Sequence, residues 1–152
     1  MKLAEALQER ADLNRKIEQL RNRLQNNCLV QEGESPLEQP EALLRELDSA
    51  FARLEYLIAA INRTNCAVLT GGETLTSLIA RKDCLSVKLS AYRDLAYAAS
   101  QTTHRARGTE IKILPALDVR ALQKRADALA KALRETDNRL QAANWLTELM
   151  ED

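Results

Sequence analysis

The chain has 152 residues, of which 45% are hydrophobic and only 3% aromatic, and its 22 basic and 22 acidic side chains cancel in charge. The length fits one domain, here residues 1–152. The scarcity of Gly and Pro argues against a turn-rich β fold and for helices packed through Leu, Ala and Ile. The balanced charge argues against a general attraction to nucleic acid or to an anionic membrane surface.

The cysteines and the N-terminal residues bear on the cellular compartment. Cys28, Cys66 and Cys84 lack the paired spacing of a zinc site and are too few for a disulfide scaffold. We expect three reduced thiols in a cytoplasmic protein. Charged residues, including Glu5 and Glu9, interrupt the N-terminal stretch where a secretion signal would be apolar. The apolar runs are far shorter than the roughly 18 residues of a membrane span, so no transmembrane segment is predicted.

Two helices are predicted in the first half of the chain. Apolar residues recur at alternating steps of three and four over about residues 2–28 and again over about residues 41–61, which is the pattern of an amphipathic helix. The first stripe is Leu3, Ala6, Arg10, Leu13, Ile17, Leu20, Leu24 and Asn27, and the second is Leu44, Leu47, Phe51, Leu54, Ile58 and Ile61. The segment VQEGESPLEQP between them predicts a loop because Gly and Pro cluster there.

A glycine pair, Gly71 and Gly72, precedes the third predicted helix at about residues 75–100. A phosphate-binding loop would need a Lys directly after the second glycine, whereas Glu73 stands there. The pair therefore predicts a turn before the helix, which a Thr hydroxyl caps. Just before the turn, residues 66–69 are interpreted as a short strand or as a loop folded against the helices.

The fourth predicted helix covers about residues 119–150, with Asp118 placed to cap it. The connection that leads to it contains EIKIL, residues 110–114, whose alternation predicts a second short strand. The stripe of the third helix is Leu75, Leu78, Lys82, Leu85, Leu89, Tyr92, Ala96 and Ala99, and that of the fourth is Leu122, Ala126, Leu129, Leu133, Thr136, Leu140, Ala143 and Thr147.

These elements predict an all-α fold: an antiparallel bundle of four long helices, two of them about 40 Å and 45 Å long at 1.5 Å per residue. The seven-residue apolar period is also typical of coiled-coil hairpins that pack against each other or across a subunit boundary. Four polar residues on the stripes are expected either to fix the helix register or to extend into water: Arg10, Asn27, Lys82 and Thr136. Trp145 is expected to plug the end of the bundle.

Short pieces in order along nearly the whole chain carry a family resemblance. They are MKLAEALQERADL, QLRNRL, VQEGE, LLRELD, INRTN, TLTSLIARKD, EIK and NWLTEL. With them the chain resembles an uncharacterised bacterial family of small helical proteins that are sometimes labelled septicolysin-like. The resemblance implies no established activity and no catalytic residues, whereas the label implies a membrane-active protein.

One set of polar residues is a candidate metal site. In an up-and-down bundle the first and third connections lie at the same end, which brings Glu32 and Glu34 toward His104 and Glu110. Carboxylates with one imidazole are suitable ligands for a divalent metal. The alternative is that the acidic first connection and the basic third connection attract each other across solvent.

The sequence favours a non-enzymatic cytoplasmic helical scaffold or interaction protein that self-associates as a homo-oligomer, because its helices are longer than a compact monomer needs. No nucleophile motif accompanies His104, so no catalytic residue is identified and an enzyme is not favoured. One alternative is a metal- or small-ligand-binding protein, with or without enzymatic activity, at the loop end of the bundle. Another is a membrane-active septicolysin-like protein. No cofactor is identified, and nucleic acid is not an expected partner.

Overall fold

The structure, a computed structural model, describes residues 1–102 and 111–151. Within these ranges the chain forms four helices, α1 Leu3–Asn27, α2 Pro40–Ala67, α3 Leu75–Ser100 and α4 Val119–Leu146. Two short strands, β1 Leu69–Thr70 and β2 Glu73–Thr74, pair antiparallel across the two glycines. The prediction of an all-α fold with four long helices is confirmed.

The two predicted β segments differ from the observed strands. Helix α2 continues to Ala67, so half of the segment 66–69 is helical and only Leu69 lies in a strand. Leu69 pairs with Thr74 of β2, the other strand of the same hairpin. Residues 111–114, the described part of the other predicted segment, form no strand. The two glycines between β1 and β2 have positive φ and close a tight turn, so these two neighbouring strands pair with each other. A segment far away in the sequence pairs with β1 less easily.

The described chain divides into two compact units. Unit 1 consists of Met1–Leu75 with Ala143–Asp152, and unit 2 consists of Thr76–Ala142. Each unit contains one helical pair. The single domain predicted for residues 1–152 stays a prediction.

Helices α1 and α2 of unit 1 run antiparallel, because their ion-paired residues follow opposite orders along the chain: Glu9 pairs with Arg53, and Lys16 pairs with Glu46. The stripe predicted for α1 is buried or half-buried at every position. The face of α2 that packs inward differs from the predicted stripe and consists of Leu43, Leu47, Ala50, Leu54, Leu57, Ile61 and Thr64. Ile17 of α1 packs with Ala50 and Leu54 in this interface.

Three residues predicted to lie in the core are instead at the surface. Leu44, Phe51 and Ile58 are 40%, 47% and 42% exposed. Each is next to an apolar residue that is buried, at positions 43, 50 and 57. Adjacent residues on a helix lie about 100° apart, so only one residue of each neighbouring pair can face α1. In all three pairs it is the residue at position 43, 50 or 57 that packs inward.

The loop between α1 and α2 is fastened by a buried polar residue of the α1 stripe. The Asn27 side-chain amide donates to the Arg23 carbonyl at 2.9 Å, and its oxygen accepts from the Glu38 backbone N–H at 2.9 Å. Asn27 is only 7% exposed, so both groups would otherwise be desolvated without a partner. Asn27 therefore agrees with the expectation that polar residues on the stripes fix the helix register.

The C-terminal segment belongs to unit 1 and pairs with its N-terminal residues. The Leu3 N–H donates to the Thr147 carbonyl at 2.9 Å, and the Leu149 N–H donates to the Met1 carbonyl at 2.8 Å. Leu149 is buried by this pairing, whereas Trp145 is 53% exposed. The prediction that Trp145 plugs the bundle end is wrong, because α4 ends at Leu146 and the extended segment after it supplies the buried side chain.

Helices α3 and α4 form the antiparallel pair of unit 2. Lys82 near the start of α3 pairs with Asp137 near the end of α4 at 2.7 Å. Tyr97 near the end of α3 lines a groove together with Gln123 near the start of α4. The stripes predicted for both helices are buried or half-buried throughout. The hydroxyl of the stripe residue Thr136 donates a hydrogen bond to a backbone carbonyl of its own helix.

Replacing Asn27 with Ala should destabilise the protein by about 1–2 kcal/mol, because the Arg23 carbonyl and the Glu38 N–H lose their buried partner. The measurement is urea unfolding followed by circular dichroism. Asn26→Ala, a change at the exposed neighbouring position, is the control and should alter the free energy of unfolding by less than about 0.5 kcal/mol. Equal stabilities of the two variants would contradict the anchoring role of Asn27.

Candidate functional site

The main candidate site is the outward face of α2. Leu44, Phe51 and Ile58 are spaced seven residues apart and form what we call the α2 apolar stripe. At 1.5 Å per residue the stripe is about 21 Å long. Large apolar side chains aligned at the surface of a soluble chain mark an interaction surface more often than singly scattered ones do.

A line of carboxylates accompanies the stripe. Glu41, Asp48 and Glu55 are exposed and also spaced seven residues apart; we call them the acidic row. Each precedes a stripe residue by three positions, so the two lines lie side by side on the helix surface. Glu55 also lines a shallow groove with Phe51 and Ile58. The face therefore offers apolar area bordered on one side by negative charge.

Two ion pairs to α1 hold α2 in the rotation that exposes this face. Arg53 forms a two-bond contact with Glu9, at 2.7 Å and 2.9 Å, and Lys16 pairs with Glu46 at 2.8 Å. A third pair, Arg23 with Glu38, joins α1 to the loop that precedes α2. The α1 members of the three pairs recur every seven residues, at positions 9, 16 and 23. A rotation of α2 that buried the apolar stripe against α1 would break the two pairs that α2 itself forms.

The carboxylates of these pairs titrate below their usual range. The hydrogen bonds from Arg53 lower the pKa of Glu9, and partial burial opposes this effect. The hydrogen bond from Lys16 lowers the pKa of Glu46, and that from Arg23 lowers the pKa of Glu38. All three carboxylates are therefore ionised at neutral pH. Glu9 and Glu46 complete contacts between α1 and α2, and Glu38 completes a contact between α1 and the loop before α2.

A chain of contacts continues from Arg53 to the C-terminal segment. The Arg53 guanidinium lies 5.3 Å from the centre of the Tyr56 ring. The Tyr56 hydroxyl donates to the Glu151 carbonyl at 3.1 Å. On the same helix, the Thr64 hydroxyl accepts from the Met150 N–H at 2.9 Å. Helix α2 is thus fixed to α1 along one side and to the C-terminal segment near its end.

The two units carry opposite charge. Unit 1 has nine Lys and Arg residues against fifteen Asp and Glu residues, a net charge of −6. Unit 2 has thirteen against seven, a net charge of +6. The neutrality of the whole chain is therefore a cancellation between two units of opposite charge. Neither unit is neutral by itself.

Helix α3 has a second apolar face as well. Cys84, Val87, Ala91 and Ala98 are all exposed and lie on the side opposite the buried stripe of the helix; we call them the α3 outer face. Val87 is 72% exposed. A helix that is apolar on two opposite sides is usually covered on both.

The predicted metal ligands are only partly described. Glu32 and Glu34 are exposed in the loop after α1. His104 and Glu110 lie outside the described residues. No group of three or more His, Cys, Asp or Glu side chains suited to a metal ion occurs within residues 1–102 and 111–151. The metal site at Glu32, Glu34, His104 and Glu110 stays a prediction.

Comparison with known proteins places the chain in a family. Residues 10–149 match DUF6847, a family of unknown function. The chain belongs to this family. The DUF6847 protein is similar to a functionally unknown conserved protein from Corynebacterium diphtheriae, with 37% sequence identity over 99% of each chain and a TM-score of 0.89 between the two structures. No curated protein matches the sequence.

The expected membership of an uncharacterised family is thereby confirmed, and these comparisons contain nothing that refers to septicolysin. Among the described helices of the DUF6847 protein, none is both long enough and apolar enough to cross a membrane.

The surface on α2 was missed by the sequence argument although a signal for it exists. Leu43 and Leu44 are adjacent apolar residues, and so are Leu57 and Ile58. Such doublets repeated along one helix give it an apolar arc wider than a single contact covers. A wide arc of this kind indicates a helix with two neighbours.

Replacing Glu9 with Gln should lower the free energy of unfolding at pH 7 by about 0.5 kcal/mol, the range of partly exposed ion pairs. Because the pKa of Glu9 is lowered in the folded state, the contribution of the pair is present above the ordinary Glu pKa and is lost as pH falls through the folded value. Urea unfolding from pH 7 to about pH 3 should therefore show the two proteins converging in stability in acid. A gap that stayed constant over this range would contradict an electrostatic role, and Glu32→Gln, in an exposed loop, is the control.

The metal prediction is tested by elemental analysis of protein purified without chelators. If Glu32 and Glu34 bind a divalent ion, metal retained through dialysis should disappear in the Glu32→Ala, Glu34→Ala double variant. Unchanged metal content in that variant would remove these two residues from the site.

Proposed function

We propose that the DUF6847 protein is a non-enzymatic helical interaction protein that self-associates through the α2 apolar stripe. The observation that carries this proposal is the alignment of three large, half-exposed apolar side chains, Leu44, Phe51 and Ile58, along one helix. The acidic row beside them supports it, because a polar border is typical of protein interfaces.

The energetic argument concerns the exposed part of each side chain. Fully burying a Leu, Ile or Phe side chain contributes about 1.5–3 kcal/mol. These three are already somewhat more than half covered, so a partner would gain about 1 kcal/mol for each of them. In a symmetric dimer each residue counts twice, which makes the stripe a substantial part of the association free energy.

Two further parts of the proposal concern architecture and location. The seven-residue spacing of the ion pairs between α1 and α2, together with that of the stripe, supports coiled-coil packing within and between chains. Within residues 1–102 and 111–151, none of the three cysteines forms a disulfide. This supports a cytoplasmic location, where thiols are kept reduced.

The septicolysin label supplies a different candidate activity, action on membranes. Release of a dye from lipid vesicles measures it directly. Vesicles that stay intact at high protein concentration would end that alternative, and rapid leakage would instead end the proposal of an interaction protein without membrane activity.

The self-association is tested by light scattering coupled to size-exclusion chromatography. We expect wild-type protein to be dimeric at about 100 μM, and Phe51→Ser to weaken the dimer about 30-fold, because about 2 kcal/mol is lost over two copies. Leu29→Ser is the control, since Leu29 is 86% exposed but lies off the stripe. It should leave the dimer unchanged.

Two results would contradict the proposal. Wild-type protein that stays monomeric at this concentration would remove self-association. A Phe51→Ser variant as dimeric as wild-type protein would place the interface on another surface.

A further inference from the structure

The α2 apolar stripe and the α3 outer face match in length and in size. Leu44, Phe51 and Ile58 are large, whereas three of the four residues of the α3 outer face, Cys84, Ala91 and Ala98, are small. Both sets are spaced seven residues apart over two intervals, so both are about 21 Å long. Large side chains of one helix that fill the spaces left by small ones on another are the usual form of close helix packing.

The charges beside the two faces match as well. The acidic row precedes the α2 stripe by three positions, and Lys88 precedes Ala91 by the same three positions. Charged side chains on the same rotational side of two facing helices meet when the helices run antiparallel. An antiparallel pairing with Phe51 opposite Ala91 brings Glu55 next to Lys88. The opposite net charges of the two units, −6 and +6, favour the same encounter.

Antiparallel pairing of each face with its own copy is less favourable. An antiparallel pair of α2 helices would place one acidic row against another, and like charges across an interface are repulsive. An antiparallel pair of α3 helices would likewise bring two Lys88 side chains together. The contact between unlike faces avoids both repulsions.

A second copy of the chain is the partner that supplies the matching face. The α2 stripe and the α3 outer face are both exposed within one chain. In a dimer with twofold symmetry, a contact between the α2 apolar stripe of one chain and the α3 outer face of the other is repeated by the symmetry and therefore occurs twice.

We infer that two copies of the protein form a reciprocal dimer in which the α2 apolar stripe of each packs antiparallel on the α3 outer face of the other. Phe51 lies opposite Ala91, Ile58 opposite Cys84, and Glu55 pairs with Lys88. This inference rests on the proposed self-association and specifies its partner surface and orientation.

The native thiol of Cys84 allows a direct test by disulfide formation. In full-length protein that carries Cys28→Ser and Cys66→Ser, the additional change Ile58→Cys places a second thiol opposite Cys84 of the other copy. Disulfides form only when the two Cα atoms lie within about 7 Å. Mild oxidation should therefore give a covalent dimer, and peptide mass spectrometry should find position 58 linked to position 84.

Three results would overturn the reciprocal pairing. Without Ile58→Cys, a fast disulfide between two Cys84 residues would show that α3 pairs with α3. A dimer that still forms after Cys84→Ser would show that α2 pairs with α2. A monomer that has lost both free thiols would show a bond within one chain. Ala52→Cys, an exposed α2 position off the stripe, is the control and should give little dimer.

A charge exchange gives an independent readout that a purely structural effect would not reproduce. We expect Glu55→Lys alone and Lys88→Glu alone each to weaken the dimer about tenfold, and the double variant to recover most of the loss. Additive losses in the double variant would overturn the pairing of these two residues.

These experiments distinguish a failure of the proposed self-association from a failure of the reciprocal dimer. A monomeric wild-type protein removes the self-association and the reciprocal dimer together. A dimer that Phe51→Ser weakens, but that forms no link between positions 58 and 84, leaves the proposed function in place and removes only the reciprocal pairing.

Discussion

The rotation of α2 about its own axis is the constraint on which the candidate surface depends. This helix is apolar over a wide arc, and burial alone would accept either of two neighbouring stripes against α1. The ion pairs of Arg53 with Glu9 and of Glu46 with Lys16 select one of them, because they can form only in that rotation. Asn27, the last residue of α1, fastens the loop that leads into α2. Phe51 and its two stripe neighbours remain at the surface as a consequence.

Charge is arranged on two scales in this protein. Between α1 and α2, ion pairs of unlike charge fix the helical register, although each exposed pair contributes little to stability. Between units, a net charge of −6 stands against +6. Such a separation makes association sensitive to salt, since charges further apart than about 8 Å are screened at physiological ionic strength. The same distribution favours contact between unlike units of two chains.

Helices α2 and α3 share the property of having apolar residues on two sides. In each, one side is buried within its own unit and the other is left at the surface, with large side chains on α2 and small ones on α3. Because each of these helices already packs through its inner face within its own unit, its outer face is not needed for the packing of that unit. In this respect the proposed dimer adds contacts to a folded chain and does not complete an unfinished core.

The amino-acid sequence by itself determined the all-α class, the four helices and the inner stripes of α1, α3 and α4, because a single apolar period of 3.6 residues is visible without knowledge of neighbours. The tertiary structure decided which of Leu43 and Leu44, or of Leu57 and Ile58, faces inward, since periodicity fits both choices and only packing against α1 separates them. It also decided that Leu149 is buried and Trp145 exposed. That outcome depends on backbone pairing between segments at opposite ends of the sequence, which no local pattern contains.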